Sequence, residues 1–156
     1  MKVQLDKYDR IILDILQKNC TWAIGEVAER VGLSNTACWR RIQKLEEEGI
    51  IRAKVALLDR KKLNINVIVM VFIKTSQHNA DWIQKFHQHI HNIDEVIEVY
   101  RMAGETDYLL KVAASDVDAY DKVYKKLIQV DGLADVSSSF AMEQIKYTTE
   151  LPLNFF

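Results

Sequence analysis

Between residues 34 and 48 the chain sets out side chains that could read the edges of base pairs. Thr36, Arg40 and Gln43 recur at helical spacing, and at 100° per residue they point nearly opposite the apolar seam of Cys38, Ile42 and Leu45. Arg can donate two hydrogen bonds to N7 and O6 of guanine, Asn and Gln can pair with adenine, and a Thr methyl can touch a thymine methyl. Asn35, Trp39 and Lys44 stand on the shoulders of that face, Ser34 opens it, and Arg41 and Lys44 flank it for phosphate contact, Arg41 being open between phosphate and the helix's own acids. The acids Glu46, Glu47 and Glu48 are confined to the last turn. An ordinary solvated helix does the reverse, because its dipole favours acids at the N-terminus. Trp39 is open between packing on the preceding helix and touching DNA.

A second group lies in MAGETDY, residues 102–108, and in the serines of DVSSSF. A free amino acid needs an acceptor for its ammonium group and donors for its carboxylate. Asp107 or Glu105 can be the acceptor, and backbone N–H groups near Gly104, with Thr106, Ser137, Ser138 and Ser139, can be the donors. Met102 and Tyr108 bound the turn.

Other chemistries fare worse. His87 and His91 stand at i and i+4, a spacing that can grip a metal, but no carboxylate follows the HExxH arrangement and His91 falls opposite the stripe of Trp82, Ile83, Phe86 and Ile90. His78 and His89 add no further spacing of that kind. The N-terminal half offers no nucleophile with a paired base, no phosphate loop and no metal cluster, and the aromatic RNA-reading run is missing. The expectation is therefore no catalytic residue, no metal and no cofactor.

Composition agrees with a folded binding protein. Of 156 residues, 49% are hydrophobic and 28% charged, with one Pro and 5 Gly, too few for a disordered or collagenous chain. The net charge of −1 hides a division. Up to Lys62, 13 Lys and Arg face 9 Asp and Glu, and from Leu63 onward 8 face 13, so the first part favours polyanions. Cys20 and Cys38 show neither zinc nor disulfide spacing and are expected as reduced thiols, Cys38 as a small core residue. The chain starts directly in an amphipathic pattern, and its longest apolar run, 67–73, is far short of a bilayer span, so a cytoplasmic location without membrane contact is expected.

The elements that must position these residues follow from periodicity. Tyr8, Ile11, Ile12, Ile15 and Leu16 form one helical stripe behind the cap Asp6. Ile24, Val27, Ala28 and Val31 form a second, short one ending at Gly32, and Ser34 caps a third that stops at Gly49. The short connection at Gly32-Leu33-Ser34 is that of a helix-turn-helix unit. IIRAKVALLD reads as a linker strand. From Val67 the order is strand, helix (Ala80–His91), strand, turn, strand, helix (116–130) and strand (DVSSSFAMEQI), a βαββαβ sandwich of the ferredoxin-like type. The expected class is α+β. A DNA-binding domain occupies 1–52, a linker strand and hinge 53–65, and a sensor and oligomerisation domain 66–156. The run VIVMVFI is apolar at every position, so both faces of its strand should be covered, the second by another copy of the chain.

VGLSNTACWRRIQKLEEEGII resembles the DNA-binding motif of the Lrp/AsnC regulators. Gly32, Leu33, Ser34, Cys38, Arg41, Ile42, Lys44, Leu45, Glu46, Gly49 and Ile51 all match its pattern, and MAGETDYLLKV is similar to the Gly-x-x-Asp-Tyr turn of the family's sensor (RAM) domain. Ala23 departs from the pattern, standing where a capping Ser or Asn is usual. The resemblance implies a winged-helix-like DNA-binding domain, a sequence-specific and amino-acid-responsive transcriptional regulator of amino-acid metabolism, and dimers that build tetramers or octamers. It also implies an effector site at the 102–108 turn and the serine strand, where subunits meet. KVALLDRKKL and SSFAMEQIKYTTELPL resemble the cysteine-responsive branch, so cysteine is a candidate effector, with an apolar amino acid such as leucine or methionine as the rival. The alternative is an amino-acid-binding module, free-standing or enzyme-associated, without specific DNA readout.

Overall fold

The computed structural model describes residues 4–154 and divides the chain into two compact units, one running up to Leu57 and taking back residues 146 onward, the other Leu58–Ile145. The first unit holds α1 (Lys7–Lys18), α2 (Ile24–Val31) and α3 (Asn35–Glu47). Ile12, Leu13, Val27, Ala28, Val31, Cys38, Ile42 and Leu45 close its core, and the seam expected on the third helix is the one that is buried. Each helix begins and ends for a local reason. The Asp6 carboxylate accepts from the N–H groups of Tyr8 and Asp9, and Asp9 Oδ2 accepts in return from Asp6 N. Gly32 ends α2 at φ 76°, a left-handed cap that side chains disfavour, and Ser34 Oγ then accepts from Ala37 N to start α3.

Ala23 leaves α2 with half a capping box. Its N–H donates to Glu26 Oε2 at 2.8 Å, but a methyl group cannot accept from the first turn. Ala23→Ser, on a backbone already extended at φ −64° and ψ 150°, should add about 1 kcal/mol of stability. A thermal unfolding midpoint that does not rise would contradict this.

The boundary expected at residue 66 is only half of the division. Leu153 packs against the first unit's core, and Gln17 of α1 grips Leu151 through both backbone groups, Nε2 donating to the carbonyl and Oε1 accepting from the N–H. From residue 146 onward the tail expected with the second domain packs with the three-helix unit. Leu153→Ala should cost about 1 kcal/mol, the share of a half-buried leucine, read from urea unfolding of the full chain. The expected linker strand is also corrected. Residues 53–58 have no ladder partner among the described residues, and the chain continues into a turn closed by Leu63 N to Asp59 O and by Arg60 Nη1 to Ile65 O. An extended segment becomes a strand only when another backbone takes its hydrogen bonds. No wing strands form in this unit among the described residues.

The second unit holds β1 (Val67–Thr75), α4 (Ala80–His91), β2 (Val96–Arg101), β3 (Tyr108–Ala114), α5 (Val117–Leu127) and β4 (Leu133–Phe140), in the sheet order β2-β3-β1-β4 with every neighbouring pair antiparallel. This is the expected βαββαβ arrangement. The helices cover one face, where Val69, Val71, Ile73, Leu110 and Val112 are fully buried beneath Phe86, Trp82 and Leu127. On the other face Ile68 is buried, while Met70 and Phe72 are only half-buried. β4 is shorter than expected: it ends at Phe140, after which Ala141 N makes one more bond to Ile68 O. Among the described residues no helix is long and apolar enough to cross a membrane.

Candidate nucleic-acid interface and effector turn

Helix α3 presents the expected face. Asn35, Thr36, Arg40 and Lys44 are exposed, and so is Trp39 at 53% of its surface, which settles its orientation toward solvent. Gln43 is half-buried and donates to Glu46 Oε2 at 3.2 Å. Two of the three acids of the last turn are answered by cations: Lys54 Nζ lies 2.6 Å from Glu46, and Lys44 Nζ lies 3.8 Å from Glu48. Arg40 makes no ion pair among the described residues, and Arg52, just beyond the helix, is likewise exposed. Burial pushes the Cys38 thiol above its ordinary pKa, against the opposing pull of Arg41, so it is a protonated core residue.

Arg41 does not stand where the flanking-phosphate expectation put it. Its Nη1 lies 2.8 Å from Asp6 Oδ2 and 2.8 Å from Asp9 Oδ1, and the guanidinium sits 5.3 Å from the centre of the Tyr8 ring. The two carboxylates were not anticipated as its partners. Their signal was present in DKYD, an acid pair one turn apart, but nothing local points it at a residue more than thirty positions away.

The effector group assembles only in part. The 102–108 turn joins β2 to β3, with Met102 N donating to Asp107 O and Gly104 at φ 129°. Asp107, expected as the ammonium acceptor, has Oδ2 taken by Thr75 N at 2.7 Å while its own N–H donates to Ile73 O, so it ties the turn to β1. Glu105 is exposed and Thr106 half-buried. Tyr108 is 3% exposed, with its ring 4.5 Å from that of Phe86, and packs into the core. The serines divide by the pleat: Ser138 faces the helices and bonds the Tyr120 hydroxyl, while Ser137 and Ser139 are exposed on the opposite face. Burial is the main reason the Tyr120 hydroxyl titrates above its usual range. β1 stands between β4 and β3, so the outward serines and the turn lie about 10 Å apart across the sheet. One chain does not bring them together.

The face shared by Ser137 and Ser139 also carries Met70, Phe72 and Leu109, flanked by Tyr100 and Glu98. Glu98 accepts from Lys111 Nζ and from the Tyr100 hydroxyl, each at 2.6 Å. Lys111 first, and then Tyr100, hold its carboxyl below the usual range. Two surface hollows of about 390 and 410 Å³ open in this unit. The first, along β2 and α4, takes Tyr108 from the effector candidates, and the second takes none. His89 Nε2 lies 2.7 Å from the Lys126 carbonyl, and no group of three or more His, Cys, Asp or Glu that could hold a metal gathers among the described residues.

A three-helix unit with a cationic third helix, followed by a βαββαβ sandwich, defines a DNA-binding regulator with a sensor domain. The chain belongs to the Lrp/AsnC family: residues 68–151 match the Lrp/AsnC ligand binding domain and 5–52 a winged helix-turn-helix DNA-binding domain. The DNA-binding transcriptional activator DecR of Escherichia coli K12 is 48% identical over 150 residues, spanning 96% of this chain and 99% of that one. Among solved structures, an AsnC family transcriptional regulator from Agrobacterium tumefaciens is 53% identical with a TM-score of 0.93, covering 97% of this chain and 99% of its own. A transcriptional regulator from Neisseria meningitidis in complex with L-Met is 36% identical with a TM-score of 0.91, covering 97% and 98%. The protein is a DNA-binding transcriptional regulator of the Lrp/AsnC type.

Proposed function

We propose that this regulator reads a pseudo-palindromic DNA site through α3 and answers to a free amino acid held by its sensor domain. The observation that carries the reading is the exposed face of Asn35, Thr36, Arg40 and Lys44, on a helix whose Glu46 and Glu48 are each met by a lysine. Arg40, Thr36 and Asn35 meet base edges, while Lys44, Arg52 and the Ser34 end of the helix meet phosphate. Trp39 lies against the sugar-phosphate wall.

The effector site is shared between copies. Ser137 and Ser139 share a sheet face with Phe72 and Met70, which stay half-buried in one chain, and a second copy laid on that face would supply the missing walls. Such dimers can build tetramers or octamers. L-Cysteine is the first effector to test, from the resemblance to the cysteine-responsive branch. L-Methionine follows, from the ligand in the Neisseria relative, and then L-leucine.

Selection of bound duplexes from a random pool, followed by a thermal-shift screen against the twenty amino acids, tests both halves. A palindromic consensus and one dominant amino acid are the expected results. No consensus would remove sequence-specific reading, and no shift would leave an effector-independent regulator.

A further inference from the structure

We propose that Arg41 is a positioning residue, holding the recognition helix at a fixed setting on α1, and that it takes no part in phosphate contact. This rests on the reading of α3 as the DNA-reading helix. The apolar seam of Cys38, Ile42 and Leu45 is non-directional and by itself tolerates small rotations and slips of α3. The Arg41 contact is directional. All four oxygens of its two partners are committed: Asp6 Oδ1 to the N–H groups of Tyr8 and Asp9, Asp6 Oδ2 and Asp9 Oδ1 to Arg41 Nη1, and Asp9 Oδ2 to Asp6 N. The cap that starts α1 is therefore the socket that receives the guanidinium.

Both N–H groups of Nη1 are spent on Asp6 and Asp9, and a phosphate approaching the rest of the guanidinium would meet those two carboxylates beside it, on a surface where negative charge opposes DNA. Arg41 thus serves its neighbour Arg40 by fixing the rotation of the helix that presents it.

The test uses the full chain and the tightest duplex recovered by random selection with the unmodified protein. Affinities of Arg41→Ala, Asp9→Ala and their double variant are measured over a salt series, against that duplex and a scrambled one. Positioning predicts that each single variant loses about 10-fold in affinity for the selected duplex and little for the scrambled one, and that the double variant loses no more than either. It also predicts an unchanged slope of log K against log salt. Phosphate contact predicts a slope shallower by about 0.9 for Arg41→Ala, a uniform loss on both duplexes, and Asp9→Ala binding as tightly as the parent or tighter, any of which overturns the inference. Asp9→Asn, which can still accept from Asp6 N, replaces Asp9→Ala if the latter melts below the assay temperature. Arg40→Ala separates the two levels: if it keeps full discrimination, the α3 reading falls, whereas loss in Arg40→Ala with additive Asp9 and Arg41 effects defeats only the positioning role.

Discussion

Replacing Arg40 by alanine is expected to weaken binding to the selected duplex by about 1–3 kcal/mol, roughly 5- to 150-fold, and to relax discrimination at one base position in each half-site. The effect is large because Arg40 has no protein partner to fall back on among the described residues. Its donors are free to make a bidentate contact with guanine, and its loss strands the base acceptors in a dehydrated groove. Folding should be untouched, since the side chain is exposed and the seam of α3 lies on the far side of the helix. Equal affinity of variant and parent for the selected duplex at fixed salt, or an equal loss on scrambled DNA, would remove Arg40 from base reading.

What the sequence disclosed and what it withheld divide along physical lines. Wherever a pattern is local and periodic, the expectation matched the structure closely: the caps Asp6 and Ser34, the stop at Gly32, the seam of α3, and the bounds of β1 and α4. The linker strand failed because strand formation needs a second backbone that no local pattern specifies. The tail failed for a similar reason, since Gln17 and Leu151 are brought together only by the fold. Arg41 is an instructive case. The wheel sets it beside the exposed face of α3, but the wheel shows only one helix, and the acids that claim it stand at the start of another.

The effector candidates were partly legible and partly misread. Alternation along β4 already requires Ser138 to face away from Ser137 and Ser139, and alternation along β3 puts Tyr108 with Leu110 and Val112 on the buried side. A period-2 reading of those strands separates them without coordinates. The bond from Thr75 N to Asp107 was not legible, because it depends on how β1 and β3 align.

Phe72→Asp should abolish assembly of the sensor domains and, with it, the response to the effector. Phe72 stands between Leu109 and Ser137 on the face the helices leave uncovered, with Met70 beside it on the same strand. In a lone chain a carboxylate there stays hydrated and costs little. Beneath a second copy it must lose that water, and of the two lysines on this face Lys111 is already engaged by Glu98 at 2.6 Å while Lys74 stands exposed toward the end of the strand. An unpaired carboxylate in such a place costs several kcal/mol, so the dissociation constant should rise by roughly 100-fold or more. The fold itself should persist, because the residues that pack against the helices, Val71 and Ile73, are on the other face. Sedimentation velocity should show the monomer with an unchanged far-UV spectrum. The thermal shift given by the active amino acid to the parent should vanish in the same preparation if the proposed site needs the second copy, since Ser137 and the 102–108 turn stand two strands apart in one chain. A variant that sediments like the parent would place the assembly surface elsewhere. A monomer that still shows the full amino-acid shift would mean that one chain holds the effector alone.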